Sequence, residues 1–274
     1  MSEEAEGASA GEEAMRRPEP VVRSVTRHDI VEAVASGLRD FRTEPLYGLF
    51  FGGVYAAAGL LMLACLSLID ATYLVYPLAA GFAMLGPFVA SGLYEVSRRR
   101  ETGAPLSFTI VLGAVWAQRQ KELGWMAFVV IFFFMVWLYQ VRLMIALFLG
   151  LRSFATMGEF IAVLFSTPEG LAFLVVGHII GAILSLIAFM LTVVSFPILV
   201  DRDIDFVTAI ITSVRAVMKS PAPMIGWAIC VVLLLIVGAA PFFLGLIVVL
   251  PVLGHATWHL YRRAVEPEGA AAPD

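Results

Sequence analysis

Two histidines four residues apart, His255 and His259, would share one face of a helix, the spacing of two ligands on one metal ion. No glutamate stands between them as in a HExxH zinc motif, and no carboxylate close in sequence completes a ligand set. They neighbour Trp258 and Tyr261, in the mixture of aromatic and cationic residues that marks a membrane–water boundary. His255 and His259 are thus candidate metal ligands whose plainer role is interfacial. His178 is the one histidine deep inside an apolar run, where an ionisable group is by default a functional candidate. It lies within the GxxxG stretch Gly177 to Gly181, and Gly48 to Gly52 forms a second such stretch. Glycines at that spacing let helices approach closely, so these four are candidate packing positions, with His178 as a helix–helix hydrogen bond. His178 is also the candidate cofactor ligand, but a haem of the b type needs two histidines at matching depth and no other run supplies the second. Glu95 is read as a solvated partner of Arg98 or Arg99. Arg142 is read as snorkelling to lipid phosphate. Cys65 and Cys230 both sit in apolar runs, which rules out a disulfide framework and a CxxC site. No catalytic residue, bound metal or cofactor is expected from these residues, and the chain reads as a non-enzyme.

The elements that would position these residues are set by hydrophobicity. Of the 274 residues, 60% are hydrophobic and 15% charged, well away from the balance of a soluble domain. A net charge of −4, concentrated in an acidic N-terminus, argues against nucleic acid as a partner. The predicted class is all-α: a polytopic transmembrane bundle.

A bilayer core about 30 Å thick takes roughly 20 apolar helical residues to cross. Six runs qualify: 46–69, 73–93, 123–141, 171–197, 224–240 and 242–258. The last two are split only by Pro241, so a tight hairpin is expected there, with one long broken helix as the alternative. Residues 1–24 and 264–274 read as disordered arms flanking a membrane domain over 25–263. With the N-terminus inside, the positive charges fall on one face, and only Arg142 and Arg152 of the 18 lysines and arginines lie opposite. That places both termini in the cytoplasm. The long outside segment 143–169 is too apolar for a free loop and is read as one or two helices on or in the outer leaflet.

The chain also resembles itself. DIVEAVASGLRDFRTEP (Asp29 to Pro45) aligns without a gap on DFVTAIITSVRAVMKSP (Asp205 to Pro221), and Pro87…Tyr94…Arg98-Arg99 aligns on Pro251…Trp258…Arg262-Arg263. Ser107 to Glu122 opens a weaker third copy. The unit is an amphipathic helix (29–42, 107–121, 205–219) followed by a transmembrane hairpin, in two to three parallel repeats. In the first helix Ile30, Val34, Leu38 and Phe41 form the apolar face. In the last, Val207, Ile210, Val214 and Met218 do so. Thr26 with Asp29 predicts a capping box, and Pro45 and Pro221 predict breaks before each span. Such helices lie in the headgroup layer, which makes Arg39, Arg42, Arg98, Arg99, Arg100, Arg215, Lys219, Arg262 and Arg263 candidate lipid-headgroup contacts.

The run Tyr76 to Glu101, the opening DIVEAVASGLRDF and the stretch SFPILVDRDIDFVTAIITSVRAVMKSPAPMIGW (Ser195 to Trp227) resemble the bacterial family known as domain of unknown function 2189. The likeness runs from about Val25 to Arg263 and implies a multi-pass inner-membrane protein. Some relatives carry the label of cytochrome c oxidase subunit, but a lone His178 does not support carrying that label over. Three functions follow as expectations. The first is a non-enzymatic scaffold, assembly or regulatory component whose partners are membrane lipids and other inner-membrane proteins. The second is a small transporter or channel with a path near Pro87, His178, Pro197 and Pro251. The third is a haem-binding respiratory subunit. Nothing in the sequence sets the oligomeric state.

Overall fold

A computed structural model describes residues 19–69, 74–119, 122–150 and 157–267. The acidic stretch to residue 18, Asp70, Lys121, Arg152 and the residues from 268 onward lie outside the described residues. The described residues are mostly helical, with no strand among them. The helices are α1 (Arg27–Thr43), α2 (Pro45–Leu68), α3 (Val75–Met84), α4 (Gly86–Thr102), α5 (Phe108–Arg119), α6 (Glu122–Met144), α7 (Met157–Ser166), α8 (Pro168–Thr192), α9 (Ser195–Asp201), α10 (Phe206–Lys219), α11 (Pro221–Ala239) and α12 (Leu246–Ala264).

Five helices among the described residues are long and apolar enough to cross a membrane: Pro45–Leu68, Leu78–Thr102, Glu122–Leu149, Pro168–Asp201 and Pro221–Ala239. The expected sixth span, 242–258, is shifted to α12. This helix carries His255, His259, Arg262 and Arg263 and is too polar to meet the same test. Its 19 residues still run about 28 Å, antiparallel to α2. A Cβ at Gly59, Gly52 or Gly48 would meet Phe243, Ile247 or Pro251 in turn. Its polar side chains are tolerated because they face α1 and α4 rather than lipid. The two described ends of the chain meet in an antiparallel bridge between Val22 and Val265. Arg23 N–H donates to the Ala264 carbonyl at 2.7 Å, and Glu266 N–H to that of Val21 at 2.9 Å. Residues 19–24 and 265–266 are therefore docked, which corrects the reading of both arms as disordered up to the membrane domain.

Helix ends differ from expectation in two places. The basic block Arg98–Arg100 does not stop a helix: α4 carries it and ends one residue before Gly103, whose φ of +66° makes the left-handed cap. Arg142 does not interrupt α6 either; a π-helical turn, Ile145–Leu149, extends it to Gly150. In the long segment 143–169, α7 folds back on α8 so tightly that a Cβ at Gly170 would meet the Val163 carbonyl. The last hairpin is two helices, not one broken helix. Phe242 and Phe243 take positive φ of 52° and 64°. The Phe243 ring, buried against Phe82, holds that turn in place.

The first and last of the interfacial helices, α1 and α10, behave alike. Thr26 Oγ1 accepts from Asp29 N–H at 3.2 Å while Asp29 Oδ2 accepts from Thr26 N–H at 2.8 Å, the expected capping box. Asp205 caps α10 with one bond to Thr208 N–H. Pro45 and Pro221 then open α2 and α11. Thr26→Ala removes the box and is expected to cost about 1 kcal/mol, read as a lowered unfolding temperature of the detergent-purified protein. The buried positions in α1 are Ala33, Ser36, Gly37 and Asp40, and those in α10 include Ala209, Thr212, Ser213 and Ala216, the same four registers of the gap-free alignment. The face turned to protein is therefore the small-residue face. The apolar stripes Ile30-Val34-Leu38-Phe41 and Val207-Ile210-Val214-Met218 lie half-buried or exposed. Each short helix packs on the helix that ends another pair: α1 on α12, α5 on α4, α10 on α8 and α9.

Candidate functional site

The polar residues converge at one end of the bundle, where α1, α4, α9 and α12 meet. Small residues bring them together. A Cβ on Gly37 would lie 2.5 Å from the Ala256 amide nitrogen, so α1 touches α12 backbone to backbone. That approach carries Asp40, one turn further along α1, into the interface, where it is buried. Asp40 Oδ2 accepts from Ser97 Oγ at 2.7 Å and from His259 Nε2 at 2.8 Å, and Oδ1 accepts from Arg100 at 2.6 Å. His255 Nδ1 lies 2.7 Å from the same Ser97 oxygen. An ionised carboxylate can only accept, so the Ser97 hydroxyl proton belongs to Asp40. A neutral His255 must then donate from Nδ1, which leaves Nε2 without a proton. That nitrogen is fully buried and has no hydrogen-bond partner. A nucleophilic triad runs Asp–His–Ser, with the histidine as base to the hydroxyl. Here the hydroxyl lies between histidine and carboxylate, in a buried serine, and the arrangement reads as a structural relay.

Burial disfavours a charge on Asp40, but the hydrogen bonds from His259 and Ser97 outweigh it and hold the carboxyl below its ordinary value of 3.8. A carboxyl with a depressed folded value stabilises the fold fully above its unfolded value, and that contribution disappears as pH falls through the folded one. Thermal unfolding is expected to show a gap between wild type and Asp40→Asn that is constant above about pH 5 and closes in acid. A gap that widens as pH falls would contradict this assignment.

The remaining charges form pairs around the relay. Glu95, expected to be solvated, is buried; Arg98 grips it bidentately at 2.8 and 2.9 Å and Arg99 at 2.6 Å. Arg262 bridges Glu101 at 3.0 Å and Asp201 at 3.2 Å, and Tyr261 donates to Asp201 at 2.6 Å. Arg263 holds Asp29 and Glu32. Five of the candidate headgroup contacts, Arg98, Arg99, Arg100, Arg262 and Arg263, are therefore engaged with the protein's own carboxylates. Arg215 pairs with Glu19 and Lys219 donates to the Val22 carbonyl, both from exposed positions. Arg39 and Arg42 are exposed on α1, and Arg39 bonds Ser36.

The other predicted positions separate. Gly48 and Gly52 sit in the α2–α12 contact. Gly181 packs on Trp137, but nothing lies within 4 Å of a Cβ at Gly177, so the second glycine stretch is no close-packed seam. His178 is on the outer surface of α8, and its Nδ1 donates to the Leu174 carbonyl at 2.6 Å, within its own helix. His255 and His259 belong to the relay. No group of three or more His, Cys, Asp or Glu able to hold a metal ion occurs among the described residues. Asp40, Ser97, Glu101 and Asp201 had not been singled out. For Asp40 a signal exists in Ala33-Ser36-Gly37-Asp40, small residues at helical spacing that end on a carboxylate.

Beside this network a cleft opens between α4, α5 and α9. A chamber of about 250 Å³ is lined by Arg98, Gln118, Glu122, Asp201, Arg202 and Asp203. It shares Arg98, Gln118 and Val200 with a second chamber of about 170 Å³, whose other walls include Ala114, Val115 and Ala117.

Apolar helices that run past the bilayer into such a charged collar describe a multi-pass membrane protein, and comparison with known families agrees. Residues 75–201 match the family described as predicted integral membrane protein, domain of unknown function 2189. No curated protein and no solved structure matches the chain. The family segment is narrower than the likeness expected from Val25 to Arg263. It runs from α3 to α9 and so contains Ser97, Glu95, Arg98 and most of the cleft wall. Asp40, His255 and His259 lie outside it, on α1 and α12.

Proposed function

We propose that the chain is a non-catalytic component of a bacterial inner membrane that organises neighbouring envelope proteins or lipids, with both termini in the cytoplasm. One observation carries this reading: the middle of the bundle is filled. At Gly52 α2 meets the backbone of α12, and at Gly254 the Leu93 side chain of α4 closes on α12 from the other side. A transport path along α12 would need polar, water-sized space at that level. The clefts described instead open at one end. The ion pairs at that end favour a rigid platform, since Asp29, Glu32, Asp40, Glu95, Glu101 and Asp201 each already hold an arginine, a histidine or a tyrosine.

Liposomes containing the purified protein and a pH-sensitive dye test the choice. Proton, potassium and chloride leak rates equal to those of protein-free liposomes are expected, and saturable flux of any of them would replace this proposal with the transporter. Fusions at either terminus test the orientation. Fluorescent protein fused at residue 274 is expected to glow and alkaline phosphatase at the same place to be inactive; the reverse pattern would invert the topology.

A further inference from the structure

We infer that the protein is a one-sided wedge in the bilayer. Its interfacial helices dock on the lipid surface of a single leaflet, so the molecule favours membrane whose leaflet on the charged side of the bundle is convex. The partner is the lipid layer itself, recognised by loose headgroup packing rather than by one headgroup.

Three short helices lie at the charged end: α1, α5 and α10, of 17, 12 and 14 residues. Each leads into a span. A single residue separates α1 from α2 and α10 from α11, while α5 ends at Arg119 and α6 begins at Glu122. A helix tethered so closely to a crossing segment cannot leave the membrane surface. Each also carries exposed apolar side chains: Val31 on α1, Ile110 and Leu112 on α5, and Val207, Ile211 and Met218 on α10. Val31 shares a helical face with exposed Arg39 and Arg42, and Ile211 shares one with exposed Arg215. An apolar stripe with cations beside it, held at the end of a span, meets the boundary between headgroups and acyl chains.

These helices do not lie along one side. α1 packs on α12, α5 on α4, and α10 on α8 and α9, while α4, α9 and α12 touch one another at the centre. The stripes therefore surround the bundle. At the opposite end, among the described residues, the comparable element is α7, ten residues folded back on α8. A helix sunk about 5 to 10 Å into the headgroup boundary takes up area there and leaves the acyl layer beneath it unfilled. Three such helices in one leaflet, against one short helix in the other, expand the first near its surface. A convex leaflet already offers that area, so the protein gathers where it occurs. This holds whether the bundle scaffolds other proteins or moves a solute, and whichever side of the membrane its charged end faces.

Full-length protein reconstituted into phosphatidylcholine liposomes of mixed diameter tests the inference. Val265 belongs to the charged end, so an impermeant dye on a cysteine added after residue 274 labels chains with that end outward. Cys65 and Cys230 lie within spans, out of its reach. Single-liposome imaging is expected to show these chains about threefold denser per unit area on the smallest liposomes than on the largest. Chains with that end inward, read by dye applied before reconstitution and quenched outside, should show the reverse gradient. Val207→Ser, Ile211→Ser and Met218→Ser together should flatten the first gradient, and Ile110→Ser with Leu112→Ser should do so independently. An even distribution of wild type would overturn the inference, as would a gradient of the same sign in both orientations. A gradient unchanged in a folded variant would overturn it too, by assigning the sorting to the shape of the spans. All of these positions are exposed, and either variant decides the matter if the other fails to fold.

Discussion

Gly52→Leu is expected to leave no monodisperse protein after detergent extraction, while Gly177→Leu is expected to behave as wild type. Both glycines stand in GxxxG stretches inside apolar runs, and sequence alone treats them alike. A Cβ at Gly52 would lie against the Ile247 carbonyl oxygen, and neither partner can move because both are backbone. Overpacking costs about 1 to 3 kcal/mol where side chains can adjust. Prying two helix backbones apart costs more than that and opens the contacts of α12 with α2 along its length. Around Gly177 there is open space, so a leucine there meets only lipid and gains helix propensity of up to about 1 kcal/mol. Fluorescence-detected size exclusion of the two variants checks the pair. A well-folded Gly52→Leu protein would refute the α2–α12 contact.

The second large effect belongs to Asp40. Asp40→Ala strips a buried carboxylate from Ser97, His259 and Arg100 together and leaves a guanidinium facing no counter-charge. Breaking a buried pair by removing one partner costs about 3 to 5 kcal/mol. A thermal shift of the purified variant should therefore be large. Arg100→Met in the Asp40→Ala background should recover part of it, because the stranded cation is removed as well. No recovery would mean that Arg100 reaches solvent and that the loss comes from Ser97 and His259 alone.

Spans were legible because lipid offers the backbone no hydrogen bonds, so a crossing has to be a long uncharged helix. Helix ends were less legible, for a related reason. Arg98, Arg99 and Arg100 read as a stop because charge does not enter hydrocarbon, yet α4 continues through them where Glu95 and Asp40 supply counter-charges. The burial of Asp40 was missed because α1 was read from its apolar stripe and its cationic face alone, as a helix lying in the headgroup layer. At a membrane surface lipid accepts the apolar stripe, and close approach between helices selects small residues instead. The face Ala33-Ser36-Gly37-Asp40 is the one selected in that way. The relay and the cleft depend on which helices become neighbours, and α1 meets α12 across more than two hundred residues of chain. No local pattern encodes that meeting.

The central position of α12 also sets an order of events. It leaves the ribosome after α1, α2 and α4, yet it is the surface on which those three close. Until it inserts, Gly37 and Gly52 have nothing to pack on and the Asp40 carboxylate lacks its histidine. The early part of the protein must therefore wait in the bilayer as loosely associated helices, and a chain cut short before residue 246 is one that cellular proteolysis will recognise as unfinished.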